Sequence, residues 1–378
     1  MNAAWRALIA DGAPTEDAWQ RFVEENEFPL VHEREVTFVF RGEADDVQLR
    51  HWVFGLPSSS PFRHHEGTDL WTLTMELPEK SRVEYKIERI QGERREWLMD
   101  PLNPRHALDP YGANSVCYGL GYETPEWVLH DDDAREGTLE SHALHSRHFG
   151  DERGYQVYLP ARFRRRRRYP LLVVHDGLDY LRFAAFKTVL DNLTHRLEIA
   201  PMIVALINSP NRLQEYAADP RHGRFIVEEL VPTLEQQYPL VRRADARALM
   251  GASFGAVATL STAWRHPEQF GGLLLQSGSF AFSDIGEHGR GPAFDPVAEF
   301  VNAFREQPGR PADRAFVSCG RHESLIYENR SILPVLQKTK MDLRYVEAPD
   351  GHNWENWRDR MREGLSWLFP GPLWMVYE

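Results

Sequence analysis

The chain has 378 residues, of which 42% are hydrophobic and 26% charged. That is enough apolar content to build cores in about two domains and too much for a chain disordered throughout. Net charge is −12, and residues 1–127 carry 13 basic against 23 acidic side chains while the remainder carries 31 against 33. A field of that sign repels nucleic acid and anionic membrane surfaces, so neither is an expected partner. No run of about 18 apolar residues occurs, which speaks against a membrane-spanning helix.

Residues 1–12 (MNAAWRALIADG) hold one arginine, a short apolar stretch and an acidic continuation, and read as no signal peptide. The segment TEDAWQRFVEEN (15–26) predicts a helix. Thr15 can cap it, Glu16 and Asp17 suit its positive end, and Trp19, Phe22 and Val23 share one face. The period then changes to two. EVTFVF (35–40), VQLRHWVF (47–54), LWTLTMEL (70–77) and VEYKIE (83–88) read as half-buried antiparallel strands of a small β-sandwich. Trp71 is expected in its core, whereas Trp52 shares a strand face with Gln48 and Arg50. Asp100-Pro101-Leu102-Asn103-Pro104 breaks regular structure, and the Gly- and acid-rich stretch 119–137 reads as a linker. The expected organisation is a sandwich over 1–122, a linker over 123–137 and a second domain over 138–378.

From residue 138 strand-like runs (GYQVYLP, PLLVVHDG, PMIVALINS, ARALMGAS, GGLLLQSGS, RAFVSCG, LRYVEAP) alternate with helical stretches such as RHGRFIVEELVPTLEQQY (221–238). Several runs are almost continuously apolar, as strands covered on both faces are. The alternation predicts a doubly wound, mostly parallel α/β sheet. Cys117 and Cys319 are too far apart in sequence for a redox or metal motif, and two reduced thiols in the cytoplasm are the default.

Gly251-Ala252-Ser253-Phe254-Gly255 lies between a predicted strand and a predicted helix. Gly-x-Ser-x-Gly in that setting forces a sharp turn that lifts the serine hydroxyl clear of the sheet, with small flanking residues where strand and helix crowd. A serine hydroxyl needs a base, and α/β-hydrolases place the acid and then the histidine after the serine in chain order. His352, in Pro349-Asp350-Gly351-His352-Asn353-Trp354, follows the last predicted strand and precedes the terminal helix. Glu323 lies just beyond the strand ending at Gly320 and can hold the imidazole tautomer. Its rivals are Glu328, expected on the following helix, and Asp350, close in sequence to the base. Phe254 is expected to give one oxyanion N–H, and the loop His175-Asp176-Gly177-Leu178 a second from Gly177 or Leu178. His175 and Asp176 are expected to shape that loop.

These residues bring out a resemblance. The second part resembles the esterase D / enterochelin esterase family of α/β-hydrolases through Val157-Tyr158-Leu159-Pro160, His175-Asp176-Gly177, Arg212-x-x-Glu215-Tyr216 and Glu228-Glu229-Leu230-Val231-Pro232. The Gly251–Gly255 elbow, Asn329 and Gly351-His352-Asn353-Trp354-x-x-Trp357-Arg358 continue the match. The front part is similar to the N-terminal domain of enterochelin esterases, an early-set immunoglobulin-like sandwich. The matching residues are Phe28-Pro29-Leu30-Val31, Val36–Arg41, Gly67-Thr68-Asp69-Leu70-Trp71 and Asp100–Pro104. The resemblance implies a cytoplasmic serine esterase that opens the trilactone of a ferric catecholate siderophore, with Ser253 as nucleophile, His352 as base and Glu323 as acid. It requires no cofactor and no metal.

Three further features carry two readings each. Arg212 is a candidate for holding an anionic substrate, or pairs with Glu215. Trp354 and Trp357 line the site beside the base, or pack the last helix on the sheet. Arg164–Arg168, five arginines in a row, form an anion patch or, as charge runs usually do, a solvated hairpin loop. His142, His145 and His148 do not converge on a metal at strand spacing. The alternatives to a siderophore esterase are a feruloyl or acetyl carboxylesterase and a non-catalytic binding protein on the same fold.

Overall fold

A computed structural model describes residues 3–9, 12–283 and 288–372. It divides into two compact units. The first comprises Met1–Thr124 together with the two short segments Gly320–Ser324 and Ala348–Asn353, and the second comprises Pro125–Cys319, Leu325–Glu347 and Trp354–Glu378.

In the first unit the expected helix spans Glu16–Glu25, and Thr15 Oγ1 accepts from Ala18 N at its start. Trp19 and Phe22 are buried against Trp5 and Phe28, so the predicted face is the packed one. Two antiparallel sheets follow. One holds the strands Glu35–Arg41 and Leu70–Glu76 with two short partners. The other is built on Asp46–His51, Arg82–Gln91 and Gly112–Tyr118. Val36, Phe38, Phe40 and Trp71 of the first sheet share a core with Val47, Leu49, Tyr85, Ile87 and Cys117 of the second. Trp71 is buried as expected, and Trp52 is 54% exposed. The alternation in Leu70–Glu76 is less regular than the sequence predicts. Thr72 is buried as well, and its hydroxyl is satisfied by His65 Nε2 at 2.8 Å.

The second unit contains an eight-stranded sheet. Its spatial order is 138–146, 151–159, 203–207, 171–175, 247–252, 272–276, 314–320, 342–348. The five strands from Ile203–Ile207 to Arg314–Gly320 run parallel, and the two at the first edge run antiparallel. Alternate side chains of the parallel strands enter two different cores. Leu171, Val173, Leu249, Leu273 and Val317 meet the helices Phe254–Arg265 and Ile326–Lys338 on one face. Leu172, Val174, Met250, Leu274 and Phe316 meet Gly177–Phe183, Phe186–His195 and Met361–Leu368 on the other. Burial on both faces is why these strands read as unbroken apolar runs, and the expected doubly wound sheet is the one observed. The helical stretch expected over 221–238 is a helix Pro220–Arg224, a π turn Phe225–Leu230 and a helix Val231–Gln237.

One connection departs from expectation. Arg164–Arg168 does not close a hairpin. The strand Asp151–Leu159 pairs with Ile203–Ile207, and so does Leu171–His175, so the arginine loop crosses over the strand between them. The arginines are exposed, and Arg165 and Arg168 donate to the carbonyls of Gln237 and Leu240. Among the described residues no helix is long and apolar enough to cross a membrane.

Candidate active site

The strand Arg247–Ala252 ends at Ser253, whose backbone has φ 56° and ψ −122°, and the helix Phe254–Arg265 begins at the next residue. A serine at positive φ is strained, and the surrounding structure must hold it there. The two glycines show how. A Cβ on Gly251 would lie 2.3 Å from the carbonyl oxygen of Gly255, and a Cβ on Gly255 would meet His175 Cβ at 3.2 Å. Ser253 N donates to Gln276 O at 2.9 Å, Ser279 N donates back to Ser253 O at 3.2 Å, and the two serine hydroxyls are 3.1 Å apart. Ser279 in turn lies on a turn whose Gly278 N and O are both held by the buried amide of Asn329. Ser253 Oγ is thus presented on a backbone anchored from both sides.

His352 and Glu323 come together within the first unit. His352 Nδ1 lies 2.5 Å from Glu323 Oε2, and Glu323 is 2% exposed. The other carboxylate oxygen accepts from Gly320 N at 2.6 Å. A carboxylate fixed by a backbone donor and facing Nδ1 selects the tautomer with its proton on Nδ1 and its lone pair on Nε2. The rival acids are occupied elsewhere: Glu328 pairs with Arg290, and Asp350 Oδ1 accepts from Gly351 N and Asn353 Nδ2.

At the end of the strand Leu171–His175, Asp176 adopts a left-handed backbone, φ 55°, and the helix Gly177–Phe183 starts. A Cβ on Gly177 would fall 2.5 Å from Leu206 Cα, so only glycine fits the approach to the neighbouring strand. Leu178 N donates to Asn208 Oδ1 at 2.9 Å. Arg212 grips Asp176 bidentately at 2.8 and 2.7 Å. Of the two readings of Arg212, the pair with Glu215 does not form. Glu215 is instead buried against Arg153, whose Nη1 lies 2.9 and 2.7 Å from its two oxygens. Arg212 still keeps 35% of its side chain exposed.

Behind the Ser253 turn, His175 Nε2 and His222 Nε2 are 3.0 Å apart and both rings are buried. Met250 O can only accept, so His175 Nδ1–H donates to it at 3.0 Å. His222 Nε2–H is then the donor between the rings. Burial holds both imidazoles neutral, lowering His175 to about 4 and His222 well below its usual value, with His175 adding to the latter.

Of the two readings of Trp354, burial supports packing. It is 8% exposed in the core beneath the last helices, edge-on to Tyr180 and Trp357 at 5.2 and 4.8 Å. Trp357 is buried as well, and its Nε1 donates to Ser277 Oγ. The three histidines of the first edge go separate ways: His142 to Tyr238, His145 to Glu152 and His148 to Glu228. Ser279, Asn208, His222 and Arg153 were not legible as site residues, because each acts through contacts more than 20 residues away in sequence.

The Esterase family model, described as "Putative esterase", matches residues 146–368, more than half of the chain. The iron(III) enterobactin esterase of Escherichia coli O6:H1 is 24% identical over 377 residues, covering 88% of this chain and 90% of that protein. The endo-1,4-β-xylanase/feruloyl esterase of Xylanibacter ruminicola is 23% identical over 367 residues, covering 91% of this chain but 46% of that protein. Among solved structures, the enterobactin esterase FES of Shigella flexneri, crystallised in the presence of enterobactin, has a TM-score of 0.75 at 20% identity. It covers 96% of this chain and 99% of its own, a likeness of fold that includes an α/β-hydrolase domain. The chain belongs to the Esterase family, with enterobactin esterases among the relatives it matches along most of its length.

Proposed function

We propose that this chain is a serine ester hydrolase that opens the trilactone of an enterobactin-type ferric siderophore. The observation that carries the chemistry is the Glu323–His352 contact at 2.5 Å, together with a nucleophile elbow of the expected backbone strain at Ser253. The substrate class rests on the iron(III) enterobactin esterase of Escherichia coli O6:H1, which aligns with 88% of this chain and over 90% of its own length. The feruloyl esterase relative matches over less than half of its own.

In this reading Ser253 Oγ attacks an ester carbonyl while His352 Nε2 accepts its proton, and Glu323 steadies the imidazolium. The N–H of Phe254 and one from Gly177 or Leu178 receive the charge that develops on the carbonyl oxygen. Because Leu178 N–H is already bonded to Asn208, it must exchange that partner to serve. His352 then returns the proton to the leaving alkoxide, and water resolves the acyl-enzyme by the same steps in reverse. Arg212 is the proposed contact for an anionic substrate, with its charge partly offset by Asp176. No cofactor enters the scheme, and the iron travels with the substrate. The front sheets are proposed to form an early-set immunoglobulin-like sandwich over 1–122, with a linker over 123–137 and the catalytic domain over 138–378, working in the cytoplasm.

The test is hydrolysis of ferric enterobactin, a feruloyl ester and a short p-nitrophenyl ester side by side, with Ser253→Ala as control. Rapid Ser253-dependent opening of the trilactone supports the proposal. Turnover of the simple esters alone would leave a general carboxylesterase. Absence of Ser253 labelling by a fluorophosphonate would leave a binding protein.

A further inference from the structure

The loop that carries His352 is held by the first unit's own strands. Arg82 opens the strand Arg82–Gln91, and its side chain is 2% exposed. Its Nη1 donates to Asn353 Oδ1 at 3.0 Å and lies 3.4 Å from Asp350 Oδ1. Its backbone N donates to Pro349 O at 3.0 Å. Asp350 Oδ1 also accepts from Asn353 Nδ2 at 2.8 Å, so the residues on either side of Gly351-His352 are tied to each other and to one guanidinium. The guanidinium is itself fixed by Glu84 at 3.2 Å, and Glu84 accepts from Asn114 Nδ2 at 2.7 Å. The Glu323 loop is gripped from the same side. Phe54 N donates to His322 O at 2.7 Å, and His322 N donates to Asp350 O at 3.0 Å.

We infer that Arg82 is a positioning residue for the base, clamping Asp350 and Asn353 so that His352 stays in line with Glu323. The inference rests on the proposed triad. It gives the front part of the chain a task in holding the base. A buried guanidinium is suited to it, because its planar donors hold several acceptors in one geometry, and misplacement of a catalytic group by about 1 Å costs on the order of 100-fold in rate.

The test uses the full chain with Arg82→Met, Arg82→Lys, Asn353→Ala and His352→Ala. Thermal midpoints are measured for each, with kcat and KM on a short p-nitrophenyl ester and fluorophosphonate labelling rates. Arg82→Met should lose on the order of 100-fold in kcat and in labelling rate, with KM within about twofold. Arg82→Lys should recover part of the loss, and Asn353→Ala should lose kcat in the same direction. If His352→Ala labels at the wild-type rate, the triad reading itself fails. If His352→Ala is inactive while folded Arg82→Met keeps wild-type kcat, or changes only KM, the clamp is overturned and the triad stands. Should Arg82→Met not fold, Asn353→Ala decides alone, and wild-type kcat there overturns the clamp.

Discussion

Glu323 presents its two oxygens to different donors: Oε1 to Gly320 N at 2.6 Å and Oε2 to His352 Nδ1 at 2.5 Å. The backbone donor makes the carboxylate directional, and that decides what an isosteric amide would do. In Glu323→Gln the oxygen must stay on Gly320 N–H, which turns the amide NH2 toward His352 Nδ1. The imidazole then carries its proton on Nε2 and cannot accept one from a serine. We expect kcat to fall by about 10³–10⁴-fold with the fold intact. Steady-state kinetics with a thermal midpoint check this, and a loss under about tenfold would remove Glu323 from the proposed role.

Gly251 offers a steric test of the elbow. An added methyl lies 2.3 Å from the Gly255 carbonyl, which is backbone and cannot rotate away. Gly251→Ala should therefore displace the start of the helix Phe254–Arg265 and abolish fluorophosphonate labelling of Ser253. Labelling at the wild-type rate would show that the turn accommodates a side chain.

The His175–His222 pair predicts an acid-sensitive fold. Both rings are neutral when folded because burial lowers their proton affinity, His175 to about 4 and His222 well below its usual value. In the unfolded chain each takes a proton near its ordinary value of about 6.5. Their contribution to stability is thus complete above pH 6.5 and is lost as pH falls toward and through 4. The thermal midpoint should drop across that window, and His222→Asn should make the decline shallower. A wild-type midpoint that stays level from pH 7 to 5 would contradict the neutral pair.

Arg153 and Glu215 are both almost fully buried, with exposures of 5% and 3%. Arg153 also keeps Asp151, 2.5 Å from its Nε, so it is loss of the arginine that strands a buried charge, and Arg153→Met should cost about 3–5 kcal/mol. Arg243 and Asp245 make an equally short pair at the surface, and Asp245→Ala should leave the denaturation midpoint unmoved. Chemical denaturation of both variants separates the two cases.

The candidate reactive groups are written locally. A Gly-x-Ser-x-Gly between an apolar run and a helix, an acid after a strand ending in glycine and a histidine after the last strand can be read without a fold, because each depends on a few adjacent residues and on chain order. The two-sided sheet was legible for a similar reason: burial on both faces leaves unbroken apolar runs. Pairing across the chain was not. Arg212 had Glu215 one helical turn away, yet it binds Asp176, 36 residues before it, while Glu215 binds Arg153, 62 residues before it.

The same limit governs the rest. The crossing of Arg164–Arg168 depends on Ile203–Ile207 entering the sheet between two strands that precede it in the chain. Whether Trp354 lines a site or packs a core depends on Tyr180 and Phe183, more than 170 residues upstream. Arg82 precedes the strand expected over 83–88 and carries no local signal until the fold brings it to Asp350 and Asn353. Sequence by itself determined which residues are candidates for the chemistry and which elements bear them. Only the tertiary structure decided which charge meets which, because ion-pair partners, packing neighbours and sheet order are set by contacts between segments whose separation along the chain carries no local signature.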